Sequence, residues 1–468
     1  MSKPRDRLGV MPQGALAIHR IRVEKLFGRY TYDLQAQASA KQPRKLLILY
    51  GDNGSGKTTL LQLVFNLLSH IDKHGHKSFL AKTKFKALVI DLGDRTQVIA
   101  RRRGNRIVGT YTAYVRRHGR IVARIKFLTD KDNDIVSPPP GRQHDLFERR
   151  AQHLLTTLAN LRIALFFVTD DRQLLQNVTR QKDVDTESEL GEEEAHVRRI
   201  VRRSPRSRRR YLDTAVSRAI TVAAEWAREQ VFTGSRKGEA DANTIYTGIV
   251  RQLARVSAPR SESKRTNIAR LITTLREQAA RTAQFVKFGF PSALNINELI
   301  GSLVRAKKDL STIQRIVEPF VDTIKAKLDA LQEVQDSVSG FVDTLNSFFK
   351  DKTVEFNLKS GISIKASDNT SLPPSSLSSG EKQLLLLFCN TLITRSDQAI
   401  YLIDEPEISL NIKWQRQLIQ SLFNMSAKRK VQFVLATHSF ELFAPFQENV
   451  LHLIERKDAT KRASTAHA

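Results

Sequence analysis

The sequence predicts an α/β fold with an antiparallel β-subdomain, split by a long helical insertion. Three observations predict it. The apolar run 46–50 leads through a glycine-rich turn into an apolar helix, which is the pattern of a buried strand, a loop and a helix. Strand-like runs separated by turn signals fill residues 79–128. Between residues 313 and 348, apolar side chains recur in steps of three or four, as in a coiled-coil seam.

The composition is that of a globular chain without a membrane anchor. With 468 residues, 41% of them hydrophobic, the chain can fill the cores of about two to four domains. No run approaches the ~18 apolar residues that span a bilayer, and residues 1–14 carry charges without an apolar core. The single cysteine, Cys389, excludes an intramolecular disulfide framework and cysteine-rich zinc sites. We expect a cytoplasmic protein with no membrane partner and a buried thiol.

The net charge predicts an anionic partner. Lysine and arginine number 76 against 48 aspartate and glutamate residues, which gives +28. That excess favours nucleic acid or a strongly acidic protein as the partner, and a merely solvated basic surface is the alternative. The hairpins of the predicted β-subdomain carry Arg101, Arg102, Arg103, Arg106, Arg116, Arg117 and Arg120.

The first half of the chain reads mainly as strands. The predicted strands are 18–27, 30–34, 46–49, 85–92, 96–101, 107–115 and 121–127. A proline-rich linker, 137–141, precedes a helix at 143–160 and an apolar strand at 163–168. Polar groups at the C-terminal end of a buried strand lie where α/β sheets place ligands, so one of Thr169, Asp170, Asp171, Arg172 and Gln173 can face the nucleotide. A helix N-cap by Thr169 or Asp170 is the alternative.

The insertion begins with a charge block, 183–210, in which acidic residues are followed by arginines. Such blocks are typical of mobile linkers, and a nucleic-acid arm is the alternative for the arginine half. Residues 211–349 are predicted to be helical, with a partner for the seam from 211–305 or from another subunit. Pro319 is expected to kink the seam helix. The seam is Ile313, Val317, Phe320, Ile324, Leu328, Leu331, Val334, Val338, Phe341, Leu345 and Phe348.

The chain then returns to strands, with a hairpin predicted at 353–358 and 362–366. We therefore predict three segments. Residues 1–180 and 351–468 form the two parts of one α/β domain, and residues 181–350 form the helical insertion between them.

The glycine-rich turn Gly51–Thr58 is a phosphate-binding loop. Its glycines let successive backbone N–H groups face the β- and γ-phosphates, where the dipole of the following helix adds to the field. Lys57 would reach the same phosphates, and the Thr58 hydroxyl would ligate Mg²⁺. The sequence thus predicts ATP and Mg²⁺ as cofactors. The residues expected to bind them here are Asn53, Gly54, Ser55, Gly56, Lys57, Thr58 and Thr59.

Three later motifs fit the same chemistry. Residues 377–383 open an apolar helix whose serine and glycine suit an anion, although a simple capping box explains them equally well. A buried strand ends in Asp404 and Glu405, the first expected to hold Mg²⁺ and the second to align or deprotonate water. His438 follows another buried strand and can contact the γ-phosphate.

The motifs Leu-Ser-Ser-Gly-Glu, Asp-Glu-Pro-Glu and Thr-His-Ser follow the phosphate loop in the order of ABC-class ATPases, which the chain resembles. The resemblance implies an ABC-type P-loop domain that dimerises head to tail. Signature residues Ser378, Ser379 and Gly380 would act on the nucleotide of another subunit, and residues 409–411 would lie near the dimer seam. The chain departs from the family because Ser379 replaces a glycine and only Gln173 is a candidate for the glutamine-loop.

Within that class, Leu377 lies 319 positions after Thr58, a wide separation that resembles the RecF, SMC and OLD branch. OLD nucleases add a TOPRIM domain after the histidine. Only residues 439–468 follow here, so no nuclease is expected. The stretches LSSGEKQLLLL and YLIDEPEISL look most like the AriA-type ATPases of PARIS anti-phage systems, with PtuA-type ATPases of Septu and retron systems as near rivals.

That resemblance implies a homo-oligomer that holds and then releases or activates a separate effector nuclease encoded nearby. The effector would be of the TOPRIM type or, for the rivals, the HNH type. An acidic phage protein that mimics DNA is the implied trigger, and DNA itself is the other anionic partner. The alternative function is a RecF- or SMC-like repair or recombination ATPase that clamps DNA. A transporter motor is disfavoured by the helical insertion.

Overall fold

The computed structural model describes residues 17–35, 45–71, 75–169, 174–177, 205–255, 264–290, 300–301, 310–393, 398–426 and 430–454. These residues belong to two compact units, Met1–Leu212 with Thr394–Ala468, and Asp213–Ile393. The boundary predicted at residue 350 therefore lies inside the second unit. Gln173 and residues 183–204 of the charge block lie outside the described residues.

The strands, in chain order, are β1 (Ile18–Leu26), β2 (Tyr30–Gln35), β3 (Leu46–Tyr50), β4 (Ala87–Leu92), β5 (Thr96–Arg101), β6 (Tyr111–Arg117), β7 (Arg120–Thr129), β8 (Ile135–Val136), β9 (Ile163–Val168), β10 (Leu174–Asn177), β11 (Lys352–Asn357), β12 (Gly361–Ala366), β13 (Gln398–Asp404), β14 (Lys430–Thr437) and β15 (Val450–His452). The helices are α1 (Lys57–Leu68), α2 (His76–Lys82), α3 (Arg142–Ala159), α4 (Pro205–Arg255), α5 (Lys264–Lys287), α6 (Leu310–Phe348), α7 (Ser379–Leu392), α8 (Ile412–Met425) and α9 (Phe440–Phe443).

A six-stranded, mainly parallel sheet forms the centre of the first unit, in the order β10-β9-β13-β14-β3-β15. Every residue of β9 and β13 is buried, which explains why these strands read as continuous apolar runs. Helix α1 packs against this sheet, with the Phe65 and Phe167 rings 5.8 Å apart. Because β3, β13 and β14 are parallel neighbours, the motifs that follow them meet at one edge of the sheet.

A buried lysine fixes the far end of α1. Lys77 is almost fully buried, and its Nζ donates to the carbonyls of Asn66 and Ser69 at 2.9 and 2.8 Å. These carbonyls belong to the last turn of the helix and its cap, where a positive charge also interacts favourably with the helix dipole. Lys77 thus anchors the helix whose first turn follows the phosphate loop.

The second sheet of the first unit is antiparallel and seven-stranded, in the order β2-β1-β4-β5-β6-β7-β8. This confirms the predicted β-subdomain. The strand predicted at 107–115 instead begins at Tyr111, because Gly109 adopts φ 82°, which ends extended backbone there.

The prediction that the hairpin arginines form a basic surface is wrong for Arg102. Arg102 is only 1% exposed. Its guanidinium donates to the carbonyls of Phe85 and Leu80, both at 2.6 Å, and lies 4.1 Å from the Phe85 ring centre. Burial lowers its pKa to about 10, against a smaller raising effect of Tyr111. Arg102 therefore satisfies buried carbonyls and cannot meet a partner.

Helices α5 and α6 of the second unit pack together and confirm the predicted seam. Val338, Phe341 and Leu345 on α6 are fully buried, and Arg281 on α5 donates to Asp329 and Gln332 on α6, both at 2.8 Å. Among the described helices, α5 thus supplies a partner from within the same chain. Helix α6 continues through Pro319.

The predicted hairpin and the predicted buried thiol are both present in the second unit. Strands β11 and β12 form the predicted hairpin, and α7 holds the buried thiol of Cys389, whose pKa is raised by burial. Within the described part of the chain, no helix has both the length and the apolar character that crossing a membrane requires. The described elements therefore confirm the predicted α/β fold with an antiparallel β-subdomain and a helical insertion.

Candidate site for nucleotide binding and hydrolysis

The phosphate loop connects β3 to α1 and depends on its glycines. Gly54 and Gly56 adopt φ 82° and 89°, a left-handed region that favours glycine. A Cβ on Gly56 would lie 2.9 Å from Leu26 Cδ2 and 3.0 Å from Phe27 Cε2, so the position has no room for a side chain. Among the described residues, no side chain caps the N-terminus of α1 and its first turn carries no acid. The first backbone N–H groups of α1 can therefore receive a phosphate.

Lys57 lies over the loop in a nearly buried position. Its Nζ donates to the carbonyls of Gly51 and Asp52 at 2.8 and 3.2 Å, and lies 3.9 Å from Glu405 Oε1. The Tyr32 hydroxyl on β2 donates to the carbonyl of Ser55 at 2.9 Å and so fixes the loop from the other side. The cation is thereby placed where the phosphates would lie.

The remaining predicted loop residues flank this cation. Asn53 and Gly54 are exposed, whereas Thr58 and Thr59 are half-buried in the first turn of α1. Thr58 therefore offers a hydroxyl at the start of the helix, the position from which it can reach a metal ion bound to phosphate.

The two carboxylates after β13 have different surroundings. Asp404 ends the strand and is buried, paired in register with Ala436 of β14. Glu405 leaves the strand with φ 45°, an uncommon conformation for this residue, held by a 2.8 Å bond from its N–H to the carbonyl of Ala436. This turn directs Glu405 back toward Lys57.

Glu405 has the properties of a general base near neutral pH. Its Oε2 lies 2.5 Å from His438 Nδ1 on the loop after β14. Burial and, after it, the neighbouring Glu407 raise the pKa of Glu405 to about 7, against an opposing effect of His438. A base with a pKa near the working pH can both accept a proton and release it again.

Glu407 belongs to this cluster although sequence reasoning assigned it no role. It is only 6% exposed and accepts three hydrogen bonds: from the Thr437 hydroxyl, and from the backbone N–H groups of His438 and Ser439 at 3.0 and 3.1 Å. The available signal was a second acid two residues after Glu405. A carboxylate in Asp-Glu-Pro-Glu can equally face solvent, so the motif alone could not reveal these contacts.

Two sets of side chains could hold a metal ion. Thr58 and Asp404 offer hard oxygen donors, which are the ligands that Mg²⁺ prefers beside a phosphate. Glu405, Glu407 and His438 also place one donor atom each within 4.8 Å of one another. In this second set, however, the His438 nitrogen already faces Glu405, and Glu407 already holds the backbone of the following loop. The first set therefore suits Mg²⁺ better.

An exposed aromatic ring beside the loop was also missed. Phe27 lies in the turn between β1 and β2 with φ 56°, and 43% of it is exposed. Its ring packs beside Gly56, so one apolar edge of the phosphate loop ends in an open aromatic surface. Such a surface can stack with a nucleotide base.

The signature motif lies in the second unit, at the start of α7. Ser378 and Glu381 form a full capping box, with bonds of 2.7 Å from the Ser378 N–H to Glu381 and 3.3 Å in return. The capping interpretation is thus present in the structure. Ser378 and Ser379 nevertheless remain exposed at the helix N-terminus, and Gly380 is buried beneath them. An anion can still approach these residues.

Two ion pairs connect this motif to neighbouring elements of the same unit. Glu381 accepts from Lys352 on β11 at 2.8 Å, and the buried Lys382 lies 2.6 Å from Asp213 on α4. Burial raises the pKa of Glu381, but the bonds from Lys352 and Ser378 together lower it more, so the carboxylate stays charged. The first turn of α7 is thereby held to both the hairpin and the helices.

The sequence also assigned roles to residues 409–411 and to Gln173. Asn411 caps α8 by accepting from the Trp414 N–H at 3.0 Å, and Ser409 adopts φ 66°, so residues 409–411 form a tight turn after β13. Gln173 lies outside the described residues, and the structure places the end of β9 at Val168.

Known proteins with similar structures include Smc head domains. The Pyrococcus furiosus Smc head domain with an extended coiled coil has 12% sequence identity and a TM-score of 0.37, with 95% of this chain and 94% of that chain covered. The head domain with a coiled coil and joint from Pyrococcus yayanosii has 12% identity and a TM-score of 0.35, with 95% and 96% covered.

The sequence comparisons give a family. A search of curated proteins found no match. The family described as AAA ATPase domain matches residues 27–442, which include both parts of the site and the helical insertion between them. The chain therefore belongs to the AAA ATPase domain family.

Proposed function

We propose that this protein is the ATP-binding and ATP-hydrolysing sensor and scaffold of a two-component anti-phage defence system, in which it controls a separate nuclease. The observation that carries the ATPase part is the meeting of Lys57, Glu405 and His438 at the ends of three neighbouring parallel strands. The control part rests on the resemblance of the motifs and on the ion pair between Lys382 and Asp213, which attaches the signature helix to the helical insertion.

In this proposal each side chain has one task. Lys57 and the first N–H groups of α1 bind the β- and γ-phosphates, and Thr58 and Asp404 hold Mg²⁺, which neutralises phosphate charge when bound. Glu405 accepts a proton from the attacking water, and His438 holds the Glu405 carboxylate in place. Ser378, Ser379 and Gly380 of a second copy close over the γ-phosphate, so hydrolysis requires head-to-tail assembly.

The ion pair between Lys382 and Asp213 would connect the signature turn to partner binding on the helices. Lys382 is buried, so separating it from Asp213 would leave a buried charge without its partner, which is costly. Binding of an effector or an acidic phage protein to the helices would therefore be transmitted to the signature turn through α4. In this way ATP occupancy and partner binding would influence each other reciprocally.

Two substitutions test the proposal. Lys57→Ala should abolish ATP binding and phage protection, because it removes the cation that faces the phosphates. Glu405→Gln should retain ATP binding but trap ATP-bound assemblies, since the amide cannot accept the proton. The measurements are ATP affinity, particle mass with ATP, and plaque formation in cells that also carry the neighbouring gene. Unchanged ATP affinity and unchanged protection in Lys57→Ala would disprove the proposal.

A DNA-clamping ATPase is the second candidate, and one observation favours it. Strands β5, β6 and β7 contain no acidic residue. Their cationic side chains are Arg101, Arg116, Arg117, Arg120, Arg124 and Lys126. Arg101 lies 3.9 Å from Glu24 on β1, and Arg20 on β1 is neutralised by Asp33 on β2 at 2.5 Å.

Salt dependence separates the two candidates. A clamp that neutralises several phosphates should lose duplex affinity steeply between low and moderate salt, and Arg124→Ala with Lys126→Ala should reduce that slope. The sensor predicts weak DNA binding and tight binding of an acidic phage protein instead. A steep loss of duplex affinity with increasing salt, together with no binding of an acidic phage protein, would favour the clamp.

A further inference from the structure

The loop after β14 is held by one buried carboxylate. Glu407 lies two residues beyond Glu405, and its Oε1 accepts from the His438 N–H, the Ser439 N–H and the Thr437 hydroxyl. These three donors are consecutive residues about thirty positions further along the chain. Glu407 is therefore a bridge between the loop that carries Glu405 and the loop that carries His438.

The imidazole of His438 needs such a bridge. The side chain of His438 is 55% exposed. Its Nδ1 lies 2.5 Å from Glu405 Oε2 and 3.4 Å from Glu407 Oε1, and both carboxylates belong to the loop after β13. The backbone on either side of the ring is fixed by Glu407 and, through the Ser439 hydroxyl, by Gln415 at 2.7 Å. A mostly exposed ring keeps a defined position only if its backbone is fixed.

We propose that Glu407 is a positioning residue that fixes the backbone of His438 and thereby keeps the imidazole against Glu405 in a reactive orientation. This inference rests on the proposed ATPase function, because it assigns Glu407 to the orientation of its base. Glu407 itself touches neither nucleotide nor water in the proposed reaction.

The environment of Glu407 agrees with this role. Among the described residues, its second oxygen, Oε2, is buried without a hydrogen-bond partner. A buried carboxylate oxygen that lacks a donor is unfavourable for stability. Unfavourable local arrangements of this kind concentrate at functional sites.

Hydrogen exchange tests the positioning directly and without reference to activity. In Glu407→Ala the amide hydrogen of His438 loses its acceptor, so its exchange should accelerate roughly tenfold while the amides of β13 and β14 stay protected. The Ser439 N–H also donates to the Thr437 hydroxyl at 2.9 Å, so its exchange should accelerate less. The matched control is Glu441→Ala, which removes an exposed carboxylate that pairs with Arg416 at 2.7 Å nearby. It should leave both the exchange and the hydrolysis unchanged.

The kinetics of ATP hydrolysis test whether this positioning matters for catalysis. Glu407→Ala should lower kcat about 100-fold with ATP affinity unchanged, because a small misplacement of a reacting group costs on the order of 100-fold. His438→Ala should have a similar effect. The double variant should be no worse than the more damaging single variant, since both changes remove the same interaction. Additive losses would overturn the inference.

Glu407→Gln covers the case in which Glu407→Ala does not fold. The amide oxygen can still accept from the loop, so exchange at His438 and Ser439 should stay near that of the unchanged protein, and kcat should fall less. Exchange that is unaffected by both substitutions would overturn the inference. If the unchanged protein binds ATP without hydrolysing it in any assembly, the proposed function fails, whereas the exchange measurement still decides whether Glu407 holds His438.

Discussion

The phosphate loop and the loop after β14 follow adjacent strands of one sheet, but they are fixed by different means. The phosphate loop is set by backbone conformation, with Gly54 and Gly56 in the left-handed region and a Tyr32 hydroxyl on the Ser55 carbonyl. The loop after β14 is set by a buried side chain, Glu407, that reaches it from the loop after β13. A loop of the first kind is encoded locally, and a loop of the second kind depends on contacts distant in sequence.

The largest expected effect concerns the backbone-encoded loop. Gly56→Ala should lower ATP affinity at least about 30-fold, because left-handed strain of roughly 1–2 kcal/mol and crowding of about 1–3 kcal/mol both oppose the present conformation. The measurement is equilibrium binding of a fluorescent ATP analogue. Gly75→Ala is the control, since Gly75 has φ 70° but open space around its Cβ position. Similar ATP affinity in the two variants would show that the crowding at Gly56 is unimportant.

The second effect concerns the aromatic surface at the loop. Phe27→Ala should weaken ATP binding about tenfold, since base stacking on an aromatic ring contributes roughly 1–3 kcal/mol. Binding of inorganic tripolyphosphate, which has no base, should not change. Phe27→Trp keeps a ring and should bind ATP normally. A parallel loss of ATP and tripolyphosphate affinity in Phe27→Ala would mean that the ring only supports Gly56.

How far the sequence alone predicts this site follows from the same contrast. The phosphate loop, β13 and β14 were readable because each motif lies within a few residues of an apolar run, and their meeting follows from parallel strands. Glu407 was not readable, because its partners lie about thirty positions away and its burial is a property of the assembled sheet. Phe27 was missed for the same reason, since its neighbour Gly56 belongs to another element.

The prediction of a basic surface from the arginine positions shows the same limit. Arg102 stands among hairpin arginines in the sequence, yet it is buried and bonded to carbonyls of residues about twenty positions earlier. A count of basic residues therefore overestimates the surface available to an anion. The helical seam, whose contacts repeat at a fixed period, was predicted correctly because periodicity records burial directly.

The third effect tests how far the phosphate loop depends on side chains. Tyr32→Phe removes the hydroxyl that donates to the Ser55 carbonyl at 2.9 Å. A neutral hydrogen bond contributes about 1 kcal/mol, so ATP affinity should fall roughly fivefold. Tyr30→Phe is the matched control, because it removes a hydroxyl from the neighbouring ring, which stacks on Tyr32 with centroids 5.7 Å apart. A loss as large as that of Gly56→Ala would show that side chains set this loop too.

The smallest effect concerns the second support of the loop after β14. Gln415→Ala removes the acceptor of the Ser439 hydroxyl, a bond of 2.7 Å, but leaves the three bonds to Glu407. Because a partly exposed neutral bond contributes only about 0.5–1 kcal/mol, kcat should fall no more than roughly threefold to fivefold, with ATP affinity unchanged. Steady-state hydrolysis by the assembled protein measures this. A loss of kcat equal to that of Glu407→Ala would place the main support of His438 at Gln415 and α8, and the bridge between the two strand-end loops would then be secondary.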